Sequence, residues 1–154
     1  MGKKLQTGTT LLSPHPTMSF DPDYAALWDA VCIRFPDRLH DSVSVRFVSV
    51  EEVIDLNSRY RHKNSETNVL TFSYTDTVPY EHDIALCIRV AEQEAAQRGV
   101  GLRDYLALLV VHAMLHAAGL DHEQSLAEDQ KTRALEKEIL SECGFVSASL
   151  SDVY

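Results

Sequence analysis

Positions 102–118 constrain the fold more than any other part of the sequence. They read LRDYLALLVVHAMLHAA, which is apolar at almost every position. A helix on the surface of a domain carries one apolar stripe, whereas a helix that is apolar all round has to be covered on several sides. The sequence therefore predicts a helix in the middle of the domain, ended by Gly119, with the other elements packed around it.

Further helices are indicated by residues that start and stop helices. Short polar residues cap the backbone N–H groups at a helix start, and glycine readily takes up the left-handed conformation that follows a helix end. The signals are Asp21 with Pro22, Ser49 with Glu52, Gly99 after 90–98, and Ser125 with Glu128 ahead of Gly144. Together with the central helix, these signals predict about five helices.

Three segments have the composition of strands. Residues 43–47 alternate apolar and polar side chains, as a half-buried strand does. Residues 68–74 (NVLTFSY) are rich in β-branched and aromatic side chains, and 83–88 (DIALCI) is a third apolar run after a loop with Pro79. We expect the last two segments to pair as a long hairpin.

The length and composition favour one domain. A chain of 154 residues, 45% of them hydrophobic, suits a single compact core, so we expect one domain over 1–154 with a loosely ordered head over 1–19. The sequence has no pattern of a secretory signal and no apolar run of the roughly 20 residues that span a bilayer, which predicts a cytoplasmic protein with no membrane partner. The three well-separated cysteines predict inert thiols rather than disulfides or a cysteine zinc site.

Two histidines lie inside the apolar central segment. His112 and His116 are four residues apart, which places both imidazoles on one face of a helix, about one turn apart. Gly119 allows the chain to turn back, and that turn would bring His122 to the same point. Three neutral imidazoles leave one position of a tetrahedral zinc ion open for water or substrate, as in catalytic zinc sites.

The alternative is that hydrogen bonds hold the two helical histidines and that His122 is merely exposed. That interpretation has to account for two imidazoles in one of the most apolar segments of the chain, where polar groups are costly unless they have partners. We therefore predict one zinc ion per chain, or another transition metal ion, held by His112, His116 and His122. Asp121 is expected either to orient a ligand or to cap the turn.

The spacing H-x-x-x-H-x-x-G-x-x-H resembles the zinc site of metzincin proteases. Those enzymes place a general-base glutamate directly after the first histidine, and here that position is Ala113. Without the carboxylate, a protease would lack the group that activates the attacking water. The site therefore favours another kind of hydrolysis over proteolysis.

The segment HAMLHAAGLDH at 112–122 closely resembles the H-G-x-L-H-L-x-G-Y-D-H signature of the YbeY family of bacterial endoribonucleases. Upstream, 56–74 (LNSRYRHKNSETNVLTFSY) resembles the family's L-N-x-x-Y-R and T-D-V-L-S-F-P blocks, and 82–87 (HDIALC) resembles its G-D-I-x-I strand. The resemblance implies an α+β fold in which a small mixed sheet packs with the helices and the central helix carries zinc. It also implies a role in ribosomal RNA maturation, including the 3′ end of the small-subunit RNA, and in ribosome quality control.

The chain departs from the family pattern close to the predicted site. Asn68 stands in place of an aspartate and His82 in place of a glycine, and the remaining departures are Thr71, Ser73, Ala113, Ala117 and Leu120. We expect His82 to be an exposed loop histidine, with contact to substrate as the alternative. The same exposed position is expected for His15, His40 and His62.

Arg59 matches the arginine that lies at the active-site cleft in this family. A guanidinium suits phosphate because its planar fork donates two parallel hydrogen bonds, and Arg61 and Lys63 would extend it into a basic lip. Such a lip would reconcile RNA binding with the formal net charge of −9, which works against broad attraction to nucleic acid. The alternative is a solvated arginine on the second helix.

The resemblance and the histidines together predict a metal-dependent, single-strand-specific endoribonuclease in which Arg59 stabilises charge on the phosphoryl oxygens. No side chain is an obvious general base. The attacking nucleophile can be either a metal-bound hydroxide or the 2′-hydroxyl of the RNA. Two other classes stay in view: a zinc hydrolase of another kind, such as a peptidase, and a noncatalytic ribosome-assembly factor with a structural metal. Ribosomal RNA, small-subunit ribosomal proteins and assembly factors are the partners that the resemblance implies.

Overall fold

The computed structural model describes residues 10–12, 23–63, 65–120 and 126–146. Strands and helices follow in the order β1, α1, β2, α2, β3, β4, α3, α4 and α5. Their bounds are β1 Thr10–Leu12, α1 Asp23–Arg34, β2 Ser42–Val48, α2 Val50–Arg61, β3 Val69–Tyr74, β4 Glu81–Cys87, α3 Ile88–Arg98, α4 Leu102–Ala117 and α5 Leu126–Glu142. A 3-10 turn at Pro36–Arg38 follows α1.

The strands form one mixed sheet in the order β1-β2-β4-β3. β1 pairs parallel to β2 and β2 parallel to β4, while β3 pairs antiparallel to β4. Within the described residues β3 is an edge strand, and its residue Ser73 lies opposite His82 of β4. The α+β class with a small mixed sheet is confirmed, and so is the hairpin of β3 and β4.

Helices cover the sheet on both faces. The larger apolar cluster joins α1, α4 and α5 to one face through residues such as Leu27, Leu115 and Ile84. The smaller cluster joins α2 to the other face through Val53 and Leu70. The prediction of a half-buried second strand is wrong, because β2 is buried on both sides along most of its length. A strand between two parallel neighbours, with helices on both faces, has no side that faces water.

The central helix α4 lies where the sequence predicts it. It packs against α1, α3, α5, β3 and β4, and buried residues run along it from Tyr105 to Leu115. Fully burying one large apolar side chain contributes about 1.5–3 kcal/mol. Because such side chains surround α4, every neighbouring element gains apolar contact from it.

The described helix boundaries follow local signals. The Glu52 N–H donates to Ser49 Oγ at 3.1 Å, which confirms the capping at the start of α2. α3 begins at Ile88, earlier than predicted, because β4 runs into it without a loop. Gly99 follows α3 with a φ of 67°, a conformation that L side chains rarely adopt. The other predicted start signals, Asp21, Pro22 and Ser125, lie outside the described residues.

The three cysteines, all in the described part of the chain, are thiols rather than disulfides. Burial raises the pKa of the Cys32 thiol to about 11, and the nearby Asp29 and Asp41 add to the effect. The reactive thiolate is therefore scarce at neutral pH, as predicted for an inert thiol. Among the described helices none is long and apolar enough by itself to cross a membrane, although α3 and α4, bent by 117°, meet the length and composition criteria as a pair.

Replacing Ser49 with alanine removes the oxygen that accepts the Glu52 N–H. We expect the free energy of unfolding to fall by about 1 kcal/mol, measured by urea denaturation. Ser58→Ala, in the interior of the same helix, is the matched control and should cost nothing, because alanine is the better helix former there. An equal loss in both variants would contradict the capping role of Ser49.

Candidate functional site

The two histidines of the central segment lie on the last turns of α4. His112 is half-buried and His116 is exposed. Their spacing of four residues places both side chains on one face of the helix. Gly119 follows with a φ of 113°, the positive value that the predicted turn requires.

The third predicted ligand, His122, lies outside the described residues, as does its neighbour Asp121. Within 10–12, 23–63, 65–120 and 126–146, no three histidine, cysteine, aspartate or glutamate side chains converge so as to hold a metal ion. The metal site therefore stays a prediction. The structure places two of its three ligands together on one helix.

A carboxylate that sequence analysis missed holds His112 in place. Glu136 of α5 is fully buried, and its Oε2 is hydrogen-bonded to Nδ1 of His112. Nδ1 is the ring nitrogen that faces the carboxylate, and a proton on Nδ1 would be donated to Oε2. Nε2 is then the nitrogen through which His112 can bind a metal ion. Histidines that bind metals commonly donate their other N–H to a carboxylate in this way.

A signal for Glu136 was present in the sequence. The buried residues of α5 recur at helical spacing, and they are Thr132, Glu136, Ile139 and Leu140. A glutamate on an otherwise apolar helix face needs a partner, because burying an unpaired charge is strongly unfavourable. A histidine on the apolar central helix also needs a partner. The sequence could therefore have predicted a hydrogen bond between Glu136 and His112.

The donor chemistry fits a transition metal ion. Imidazole nitrogen suits zinc, copper, iron and nickel, whereas calcium and magnesium prefer oxygen ligands. In the described geometry Glu136 acts through His112 and orients it. The residues present therefore suit the metal that the family resemblance implies.

Arg59 lies on the last turn of α2, on the opposite face of the sheet from α4. Its side chain is 60% exposed, donates to Asp55 Oδ2 at 3.1 Å, and lies 5.7 Å from the centre of the Tyr60 ring. The structure does not bring Arg59 into contact with His112 or His116.

The basic lip predicted beside Arg59 is exposed along its length. Arg61 and Lys63 both face solvent, and His62 between them takes a φ of 59° where α2 ends. Because these cationic side chains are already exposed, a phosphate can contact them without a rearrangement of the domain. The end of α2 is thus a local basic feature on an acidic protein.

The prediction that His82 is an exposed loop histidine is wrong. His82 lies on β4, is 1% exposed, and packs against Trp28 with 5.9 Å between ring centroids. Its Nε2 is 2.9 Å from Asp41 Oδ2 and its Nδ1 is 2.8 Å from Ser73 Oγ. Burial is tolerated because both ring nitrogens have partners. His40 and His62 are exposed as expected, and His15 lies outside the described residues.

Asn68, another departure from the family pattern, has a structural partner. Its Nδ2 donates to Glu94 Oε1 at 2.9 Å, and the Tyr105 hydroxyl donates to the same oxygen at 2.8 Å. An aspartate here would place a second carboxylate against Glu94. Burial and the Glu94 hydrogen bond raise the pKa of Tyr105 to about 12, so its hydroxyl keeps its proton. Asn68 thereby joins the start of β3 to α3 and α4.

A cleft of about 460 Å³ runs along the edge strand β3. Its lining consists of Tyr60, 71–74, Thr75 and Asp76. Burial raises the pKa of Tyr74 to about 12, and the Asp83 carboxylate adds to the rise. At neutral pH the Tyr74 hydroxyl is therefore protonated and does not serve as a base. We call this space the β3 cleft.

A larger cleft of about 830 Å³ lies where β2 and β4 end and α2 and α3 begin. The arginines among the described residues of its lining are Arg46 and Arg89, and Arg46 is already paired with Glu52. The carboxylates in its lining are Glu51, Glu52, Glu66 and Glu92. Negative charge of this density disfavours a phosphodiester substrate, so the larger cleft is not the better candidate for RNA.

Comparison with known proteins places the chain in a family. The family model described as Endoribonuclease YbeY matches residues 24–144. The Endoribonuclease YbeY of Ralstonia nicotianae is 48% identical over 105 residues, which span 67% of this chain and 56% of that protein. The one of Paracidovorax citrulli is 42% identical over 113 residues, spanning 73% of this chain and 74% of that protein. The match thus spans little more than half the length of the Ralstonia relative.

A solved structure supports the fold. The solution structure of a protein from Thermotoga maritima aligns with 86% of this chain and 89% of its own, with a TM-score of 0.57 and 24% sequence identity. At that identity the likeness concerns the arrangement of helices and strands alone. Family membership rests instead on the matched family model and on relatives at 42% and 48% identity, which show that this chain belongs to the YbeY family of endoribonucleases.

Proposed function

We propose that this chain is a metal-dependent endoribonuclease that cuts single-stranded RNA in ribosomal RNA maturation, including the 3′ end of the small-subunit RNA, and in ribosome quality control. The observation that carries the proposal is the hydrogen bond between His112 and the buried Glu136, in a chain whose relatives are named endoribonucleases. A carboxylate that engages one nitrogen of a histidine prepares the other for a metal ion. We place this activity in the cytoplasm, with ribosomal RNA as substrate and small-subunit ribosomal proteins as partners.

In this proposal His112, His116 and His122 hold one zinc ion. When bound, such an ion polarises a phosphoryl oxygen or lowers the pKa of water. The chain's own part is positional: Glu136 sets the tautomer and ring orientation of His112, and the packing of α4 limits the movement of both helical ligands. A preorganised ligand set loses little conformational freedom when the ion binds.

Arg59 is the residue that we propose binds the phosphate at the cut. Its present partner is Asp55, and this pair is 60% and 58% exposed. Exposed ion pairs contribute only about 0–1 kcal/mol, so a phosphate can displace Asp55 at little cost. The guanidinium then donates two parallel hydrogen bonds and stabilises the charge that develops on the phosphoryl oxygens.

Glu136→Gln tests the orienting role of the buried carboxylate. The change keeps the size of the side chain but removes the charge that favours the Nδ1–H tautomer of His112. We expect the affinity for zinc, measured by competition with a fluorescent chelator, to fall about 10- to 100-fold. Glu138→Gln, the same change at an exposed position of α5, is the control and should bind zinc as the wild type does. Equal affinities in both variants would show that Glu136 does not act on the metal ligand.

His116→Ala tests whether the histidines hold the metal that cleavage requires. We expect the variant to lose stoichiometric metal by elemental analysis and to lose RNA cleavage, because two imidazoles hold a tetrahedral ion far more weakly than three. His112→Ala and His122→Ala should behave alike, whereas the exposed His40→Ala should retain both metal and activity. Full cleavage by the His116 variant would count decisively against the proposed function.

Arg59→Ala tests the phosphate contact. We expect kcat/KM for a single-stranded RNA to fall about 10- to 100-fold with unchanged metal content, because the lost hydrogen bonds stabilise developing charge. Arg59→Lys should recover only part of the loss, since an ammonium cannot donate two parallel bonds. Lys137→Ala, which removes a surface charge from α5, is the control. A lysine variant as active as the wild type would reduce the role of Arg59 to simple charge attraction.

A further inference from the structure

The hydrogen-bond register of β3 decides which of its backbone groups point away from the sheet. The Cys87 N–H donates to the Asn68 carbonyl at 2.9 Å, and the register of the hairpin, continued by one residue, places these two residues opposite each other. In an antiparallel pair, opposed residues alternate between exchanging both backbone hydrogen bonds and exchanging none. The backbone groups of the even-numbered residues of 68–74 therefore face β4. Those of the odd-numbered residues face away from the sheet, and these residues are Val69, Thr71 and Ser73.

The family pattern agrees with this assignment at position 73. The family block T-D-V-L-S-F-P carries a proline there, and a proline has no N–H to donate. Within a sheet, proline is tolerated on an edge strand where the missing N–H would face away from the neighbouring strand. Ser73 stands in place of that proline, so this chain presents an outward N–H that the pattern lacks.

The outward backbone groups near the end of β3 open into the β3 cleft. Thr71 and Ser73 both line this cleft, Thr71 as a half-buried residue and Ser73 as an exposed one. In the part of the chain that the structure describes, no strand lies beside β3 on this side, and no backbone hydrogen bond is made to the outward groups of these two residues. The main chain of Ser73 is therefore accessible to a ligand in the cleft.

Each outward residue sets a hydrogen-bond donor beside an acceptor. In an extended strand the N–H and C=O of one residue point in the same direction, and the next outward residue follows roughly 7 Å further along. The hydrogen-bonding edge of a nucleobase has a matching arrangement, because uracil sets its N3–H donor beside carbonyl acceptors. An unpaired base has this edge free for contact with a protein.

An extended polypeptide also matches the open edge of a sheet, and two observations favour RNA instead. Two outward residues line the described part of the cleft, whereas an added strand gains its affinity from a longer row of main-chain hydrogen bonds. Tyr60 lines the same cleft, is 39% exposed, and has Arg59 5.7 Å from its ring centre. An exposed ring beside a cation is a surface on which unpaired bases stack.

The Ser73 main chain and the Tyr60 ring contact different parts of an RNA strand. The Ser73 side chain is directed to His82, which packs against Trp28 of α1, whereas Phe72 points to the opposite face of the sheet and contacts Tyr60. The outward N–H and C=O of Ser73 lie between these two faces, in the plane of the sheet. Hydrogen bonds from this main chain to a base need neither the Ser73 hydroxyl nor stacking on Tyr60.

We propose that the outward edge of β3 is a subsite that reads one unpaired nucleobase through the main-chain N–H and C=O of Ser73. For uracil, N3–H donates to the Ser73 carbonyl and a uracil carbonyl oxygen accepts from the Ser73 N–H. The β3 cleft, at about 460 Å³, is large enough for one nucleotide. The inference rests on the proposed endoribonuclease function and adds a reason for its preference for single strands, because base pairing occupies the same edge of the base.

The test is equilibrium binding of two fluorescein-labelled RNA hexamers to the full chain with its metal. One hexamer is uridine throughout, and the other is N3-methyluridine throughout, in which a methyl group replaces the N3–H donor and blocks that edge of the base. Both hexamers keep the same phosphates and sugars. We expect the wild type to bind the uridine hexamer about 3- to 10-fold more tightly, with gels confirming that the RNA stays intact.

Variants at position 73 separate the main chain from the side chain. Ser73→Ala removes the hydroxyl but keeps the N–H, so the preference for uridine should remain. Ser73→Pro removes the N–H as well, and the preference should fall toward equal binding. Thr71→Pro is the matched control, because it removes the neighbouring outward N–H and should keep the preference. Melting temperatures measured by circular dichroism establish that each variant is folded.

Tyr60→Ala separates stacking from base reading. We expect it to weaken binding of both hexamers by about 5- to 100-fold and to leave the preference for uridine unchanged, because N3-methyluridine can still stack. A preference for uridine that disappears in Tyr60→Ala would assign the reading of the base to the ring and contradict the main-chain subsite.

Three further results would overturn the subsite. They are equal binding of the two hexamers by the wild type, a preference that disappears in Ser73→Ala, and a preference that survives in a folded Ser73→Pro variant. The first would leave the edge to an extended polypeptide. Failure of the proposed function has a different signature, which is a wild type that prefers the uridine hexamer but does not cleave RNA. The comparisons within the wild type and Ser73→Ala decide the proposal even where the proline variant does not fold.

Discussion

Burial of α4 over most of its surface is the constraint that the rest of the domain satisfies. Three helices and two strands pack around it, and an imidazole inside such a helix is stable only with a hydrogen-bond partner. Glu136 provides that partner for His112 from the buried face of α5. The hydrogen bond that gives the buried Glu136 a partner also orients Nε2 of His112 for a ligand. The stability of the core and the geometry of the candidate metal site are therefore linked through one side chain.

The distribution of charge reconciles an acidic chain with an anionic substrate. The formal net charge is −9, yet Arg59, Arg61 and Lys63 are exposed together where α2 ends. Charges on the surface act over about 8 Å at physiological ionic strength, so a phosphate at this lip responds to its cations more than to the whole protein. The end of α2 therefore presents a local group of exposed cations to a phosphate on a chain whose net charge is negative.

Features set by neighbouring residues were predictable from the sequence, and features set by distant pairs were not. The central helix, the β3–β4 hairpin and the capped start of α2 each follow from a local pattern. The burial of β2 on both faces depends on which strands lie beside it. The residue pattern of β2 itself does not reveal its neighbours. Glu136 was missed and His82 misplaced because their partners are 24 and 41 residues away in the chain. Two ligands on one helix could be predicted from spacing, whereas the contribution of His122 stays a prediction.

The position of β3 has a consequence for how the sheet can be extended. Within the described residues β3 has a strand on one side only, and such an edge can accept another extended chain as a further strand. A strand added there would close the β3 cleft. If the cleft binds a ligand, the edge of β3 therefore has to stay unpaired. The strand is six residues long, and polar residues Ser73, Thr75 and Asp76 lie at its end, features that discourage pairing between copies. Access for a substrate and resistance to aggregation are thus opposing demands on the same short strand.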